Sequence, residues 1–131
     1  MKKYLLSVVA DMADGMPESI FNMYYWARLK TESNEVSSYC VLGYAIQHNP
    51  IFKDMGVLLD PKIEELVYKN ETGFDAVAEL FDISENEAIH LFHPQSYGES
   101  TPAIVGSRIR EFIHSKEKEE KREAGNEELV V

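Results

Sequence analysis

The sequence is poor in residues that announce a known chemistry. It has one cysteine, Cys40, which excludes an internal disulfide framework and suits a reducing cytoplasm. Basic side chains are scarce: 13 Lys and Arg stand against 23 Asp and Glu, for a net charge of -10. That balance repels nucleic-acid phosphates, so direct nucleic-acid binding is not expected. No apolar run approaches the roughly 20 residues of a membrane-spanning helix, so no membrane partner is expected. Gly-rich phosphate loops, Gly-x-Ser-x-Gly elbows and zinc-finger spacings are all missing, and no cofactor is expected.

What is there is an ordinary globular composition in 131 residues, 44% hydrophobic and 27% charged. A chain of this length has room for one core that buries roughly two-thirds of the unfolded surface. Residues 60–99 carry ten carboxylates against Lys62 and Lys69, so most of the negative charge sits in the middle third. Such a face favours solubility or a basic partner.

Helical punctuation dominates the chain. Residues 2–13 place Leu5, Val8, Val9 and Met12 on one face and read as an amphipathic helix rather than a signal sequence. Gly15 and Pro17 mark a turn, and the aromatic run from Ile20 to Leu29 suits a short helix anchored by Phe21, Tyr24, Tyr25 and Trp26. Thr31 to Ser38 reads as a polar surface loop. Tyr39 to Gln47 is nearly all apolar and predicts a buried central helix, stopped by His48-Asn49-Pro50. Gly43 inside it costs about 1 kcal/mol relative to alanine, which implies close approach by another element.

Ile51 to Leu59 reads as a connecting loop. Asp60-Pro61 predicts a helix over 61–69, with a strand over Glu65–Tyr68 as the competing form. A turn at 70–73 precedes the helical spacing of Phe74, Val77, Ala78 and Phe81. Ser84-Glu-Asn-Glu87 is a capping box for a helix ending at His93-Pro94. Thr101-Pro102 starts the last helix, whose stripe is Ile104, Val105, Ile109, Phe112 and Ile113. The fold class expected is mainly all-α: a compact bundle of about five or six short helices with room for one short strand pair. Residues 1–115 form the domain, and residues 116–131 form a charged, frayed or disordered tail.

Few side chains stand out as chemical. Cys40 has apolar neighbours, which make a thiol inert, and no catalytic residue is assigned. His90 and His93 have the three-residue spacing that brings two side chains onto one helical face, but no further ligand is evident and no metal is assigned. Tyr97 lies in a polar loop before the Thr101-Pro102 helix start, where Arg108 and free amides suit an anion. With Tyr44, these residues (His90, His93, Tyr97 and Arg108) make up the candidate ligand-binding set.

The ordered motifs resemble a group of small uncharacterised helical proteins found in bacteriophages and bacteria. They run Phe21-x-Met23-x-x-Trp26, Cys40-x-x-Gly43-x-Ala45, Leu80-Phe-x-Ile-Ser84 through Leu91-Phe92-x-Pro94 to Ser96-Tyr97, Thr101-Pro102, and Arg108 to Ile113. In that group a histidine commonly follows the glycine of the Cys-containing helix, where this chain has Tyr44. The resemblance implies phage or mobile-element context and placement in a host cytoplasm rather than a mechanism. The function expected is binding of a host or phage protein, with self-association as a further form. The alternatives are a binder of small nucleotide-like anions, or a Cys/His or metal-dependent enzyme.

Overall fold

In the computed structural model of the protein, residues 1–30, 35–60 and 64–130 are described, the last seven as backbone alone. The element order is α1 (Lys3–Gly15), β1 (Ala27–Leu29), β2 (Val36–Tyr39), α2 (Val41–His48), α3 (Pro50–Asp54), β3 (Leu58–Asp60), β4 (Glu65–Tyr68), β5 (Glu71–Thr72), α4 (Gly73–Phe81), α5 (Glu85–Phe92) and α6 (Pro102–Val130). Short 3-10 turns cover Glu18–Ile20 and Pro94–Ser96.

The all-α expectation is overturned. Two small antiparallel sheets, β1-β2 and β3-β4-β5, accompany the helices, so the fold is mixed α and β. The aromatic run expected as a helix over 20–29 is instead a 3-10 turn, an irregular crossing segment and strand β1. Its backbone groups find partners across the chain: the Asn22 amide donates to the Tyr39 carbonyl (2.8 Å), and the Cys40 amide donates to the Tyr25 carbonyl (2.7 Å). The expected 31–38 loop contains most of β2, while residues 31–34 lie outside the described residues.

The expected 51–59 loop holds α3 and the start of β3, because Asn49 caps Pro50 as a first-position residue and accepts from the Ile51 amide at 3.1 Å. Of the two forms for 61–69, the strand is present over Glu65–Tyr68, and residues 61–63 lie outside the described residues. Leu66 and Tyr68 alternate inward. Lys69 and Asn70, at φ 50 and 67, make the two-residue turn into β5, one step earlier than the sequence placed it.

The helix ends with a local cap or proline signal sit where that chemistry puts them: α2 stops before Pro50, α5 starts after Ser84 and stops before Pro94, and α6 starts at Pro102. Ser84 Oγ accepts from the Glu87 amide (3.1 Å), and the Glu87 carboxylate accepts from the Ser84 amide (2.9 Å). That carboxylate also meets Lys116 at 2.5 Å, tying α5 to α6. The backbone of α6 continues as helix to Val130, past the boundary drawn at Ser115, and Lys3 pairs with Glu117 at 2.6 Å. Among the described residues, no helix is long and apolar enough to cross a membrane.

A single hydrophobic cluster runs from Leu5 to Ile113. Phe52, Phe81 and Phe92 are fully buried at its centre, each contributing roughly 1.5–3 kcal/mol of hydrophobic stabilisation. The close approach expected at Gly43 is present. A Cβ added there would lie 1.6 Å from the Trp26 carbonyl oxygen, because the 21–26 segment crosses directly over α2. Gly106 serves α6 similarly, with the Ala10 carbonyl oxygen and the Ala13 methyl of α1 both 3.2 Å from its virtual Cβ.

Gly43→Ala must push two backbones apart. It should destabilise the protein by about 3 kcal/mol, the upper range for overpacking, as measured by urea unfolding. A wild-type midpoint would contradict the crossing.

Candidate functional site

The crossing segment creates a recess as well as a packing contact. Asn22 Oδ1 accepts from the Tyr24 amide at 3.0 Å, a local turn that holds Tyr24 at the tip, where 77% of it is exposed. The chain then descends to half-buried Trp26, whose ring meets Phe74 of α4 with centroids 5.3 Å apart. Phe74 in turn lies 5.3 Å from the His93 ring at the end of α5. These rings, with Met23, Phe92 and Pro94, line a cleft of about 170 Å³.

Among the described residues, no carboxylate, lysine or arginine lines it. His93 Nδ1 accepts from the Gln95 amide at 3.0 Å, so the neutral ring carries its proton on Nε2. An aromatic recess with one ring N–H can hold an apolar or planar side chain; it offers no nucleophile.

The five residues singled out from the sequence fall in separate places. His93 belongs to the aromatic recess. Tyr97 and Arg108 form a second unit, in which the Tyr97 hydroxyl donates to the Leu91 carbonyl (2.6 Å) and the Arg108 guanidinium lies 4.0 Å over the Tyr97 ring. Arg108 also donates to the Ser96 carbonyl. Burial pushes the Tyr97 phenol up to about 12, against the opposing charge of Arg108. Thr101 Oγ1 accepts from the Ile104 amide at 3.3 Å and so caps α6. The polar groups expected to meet an anion here are thus engaged within the chain, fastening the 94–97 turn to α6.

His90 is exposed and lines a separate cleft with Arg108, Glu111, Phe112 and Ser115. The histidine pair is therefore divided: His93 lies past the last turn of α5, in extended conformation. Among the described residues, no three His, Cys, Asp or Glu side chains are grouped to hold a metal ion. Tyr44 joins a third group, with its ring 4.3 Å from His48 and 6.1 Å from Tyr39.

Cys40 is the N-cap of α2, where its sulfur accepts from the Gly43 amide at 3.3 Å. It is 1% exposed, and burial pushes its thiol up to about 11 despite the amide hydrogen bonds that favour the thiolate. Sequence reasoning offers the aromatic segment 21–26 and the acidic middle third as interaction surfaces, but it misses the recess because it assigns Trp26 to the core and gives Phe74 only a place in a helical apolar stripe. The usable signal was the density of aromatics at 21–26 in a segment that also contains Asn22.

The unfolded chain ionises Cys40 before the native protein does, so native stability should fall as pH rises from about 9 to about 11. Urea midpoints measured across that window should drop more steeply for wild type than for Cys40→Ser, which cannot ionise but can still cap the helix. Dithiobis(nitrobenzoate) should titrate the thiol only after unfolding. Rapid reaction of the native protein near neutral pH would contradict the burial.

No protein-family model, no curated protein and no solved structure matches this chain.

Proposed function

We propose that this small acidic protein acts by binding a partner protein, of host or phage origin, and that the aromatic recess receives a bulky apolar side chain of that partner. The observation that supports this reading is the presence of an exposed Tyr24 beside the half-buried, mutually tilted rings of Trp26, Phe74 and His93 in one recess. Binding energy at protein interfaces concentrates in such aromatic anchors, where a side chain fills a desolvated pocket and its neighbours exclude water. The rings are already ordered by contacts with one another, so docking costs little side-chain entropy.

The absence of charge on the recess lining fits the same role. A partner side chain entering it leaves no carboxylate or cation without solvent. The acidic middle third surrounds the folded α4-α5 corner with exposed carboxylates such as Asp75, Glu79 and Glu85, which would speed encounter with a basic partner surface.

Tyr24→Ala removes the exposed anchor without touching the core. In parallel pull-downs from host lysate, the protein captured by wild type should be depleted about tenfold with the variant, a loss of about 1.4 kcal/mol. Trp26, the sole tryptophan, should report the same event as a change in fluorescence when the captured partner is added. Equal capture by both proteins, with no response from Trp26, would sink the assignment.

A further inference from the structure

A second opening that shares no residue with the recess lies at the corner where α2 gives way to α3 and β3. Asn49-Pro50 ends one helix and starts the next, and Gly56, at φ +89, turns the chain back toward β3. The corner encloses a cleft of about 470 Å³. Its apolar wall includes Ile46, Val57 and Leu58, the last 62% exposed, and its polar side includes His48, Asn49 and Lys53.

Two properties suit it to an anion. In a chain of net charge -10, none of the described lining residues is a carboxylate, and Lys53 forms no ion pair among the described residues. The hydrogen-bonding capacity left over is also directional. Asn49 spends its side-chain oxygen on the Ile51 amide (3.1 Å), so its NH2 group remains as a donor. His48 Nδ1 donates to the Tyr44 carbonyl (3.0 Å), and its ring is held against Tyr44 at 4.3 Å and Tyr39 at 5.5 Å, leaving Nε2 as the available atom.

We propose that this cleft binds a small organic anion, its carboxylate or phosphate head held by the Lys53 ammonium and the Asn49 NH2 group, its apolar body lying against Ile46, Val57 and Leu58. The Asp54 and Asp60 carboxylates are exposed and lie outside the lining, so Lys53 is the one charged side chain among the described lining residues. A head group alone meets too few donors to be held, and an apolar body alone forgoes the charge-assisted bonds to Lys53 and Asn49. Both parts are needed. The site is separate from the Thr101-Pro102 helix start and from the aromatic recess.

The test is titration of the full-length ¹⁵N-labelled protein with sodium hexanoate, phenyl phosphate, inorganic phosphate and hexan-1-ol, each to about 10 mM, a range that detects millimolar binding. Hexanoate or phenyl phosphate should shift the amides of residues 46–59 saturably, and the stronger of the two identifies the head group. Inorganic phosphate and hexan-1-ol should each bind about tenfold more weakly. Lys53→Gln, a surface change that should leave the melting temperature unaltered, should weaken the preferred anion about tenfold. Tyr24→Ala should leave the titration unchanged, which keeps this test independent of the protein-binding assignment. Absence of saturable shifts at 46–59, equal affinity of Lys53→Gln, or equal affinity for inorganic phosphate would each overturn the proposal.

Discussion

The structure depends on one backbone contact, the passage of the Trp26 carbonyl over Gly43. A helix crossed by another backbone needs a residue without a Cβ at the crossing, since any side chain occupies the space the second chain requires. The exchange of hydrogen bonds on either side, Asn22 to Tyr39 and Cys40 to Tyr25, keeps the two segments in register once they meet. From that contact follow the burial of Cys40, the descent of Trp26 beside α4 and the outward display of Tyr24. Packing and candidate function thus share one segment, whose backbone serves the core and whose side chains line the recess.

The rest of the framework holds this crossing in place through close-packed helices and short ties. Alanines of α1 face Gly106 of α6, so the first and last long helices approach closely. Arg110 of α6 meets Asp11 (3.0 Å) and Asp14 (2.7 Å) of α1, and the N-terminal ammonium meets Asp82 at 3.2 Å. Because these pairs are exposed, each is worth about 1 kcal/mol or less, and their effect is on alignment more than stability. Apolar burial carries the fold, and the large excess of carboxylates is left on the outside.

Several elements were legible because their causes are local. Ser84 and Glu87 satisfy one another's amides within a single turn, Pro94 and Pro102 act through their own geometry, and Gly43 in an apolar helix implied a close neighbour. The strands were not legible in that way. Val36-Ser-Ser-Tyr39 carries loop-like serines, and only pairing with Ala27–Leu29 makes it a strand. Three residues, as in β1 and β3, are too few to show alternation. The aromatic run at 20–29 had helical spacing, yet hydrogen bonds to residues 39 and 40 outweighed that propensity.

The candidate residues divide on the same line. Tyr97 and Arg108 were adjacent in expectation and are adjacent in space, but their contacts to Leu91 and Ser96 carbonyls turn them into a fastening. His90 and His93 share a helical spacing that the end of α5 cancels. The sequence by itself determined the capping box at Ser84, the helix stops before Pro50 and Pro94, the helix start at Pro102 and the acidity of the middle third, since each depends on neighbours along the chain. Only the tertiary structure decided the two sheets, the recess under Tyr24 and the cleft beside Lys53. Those features bring together residues distant in sequence or separated by turns, and their positions follow from packing around the Gly43 crossing rather than from any local preference.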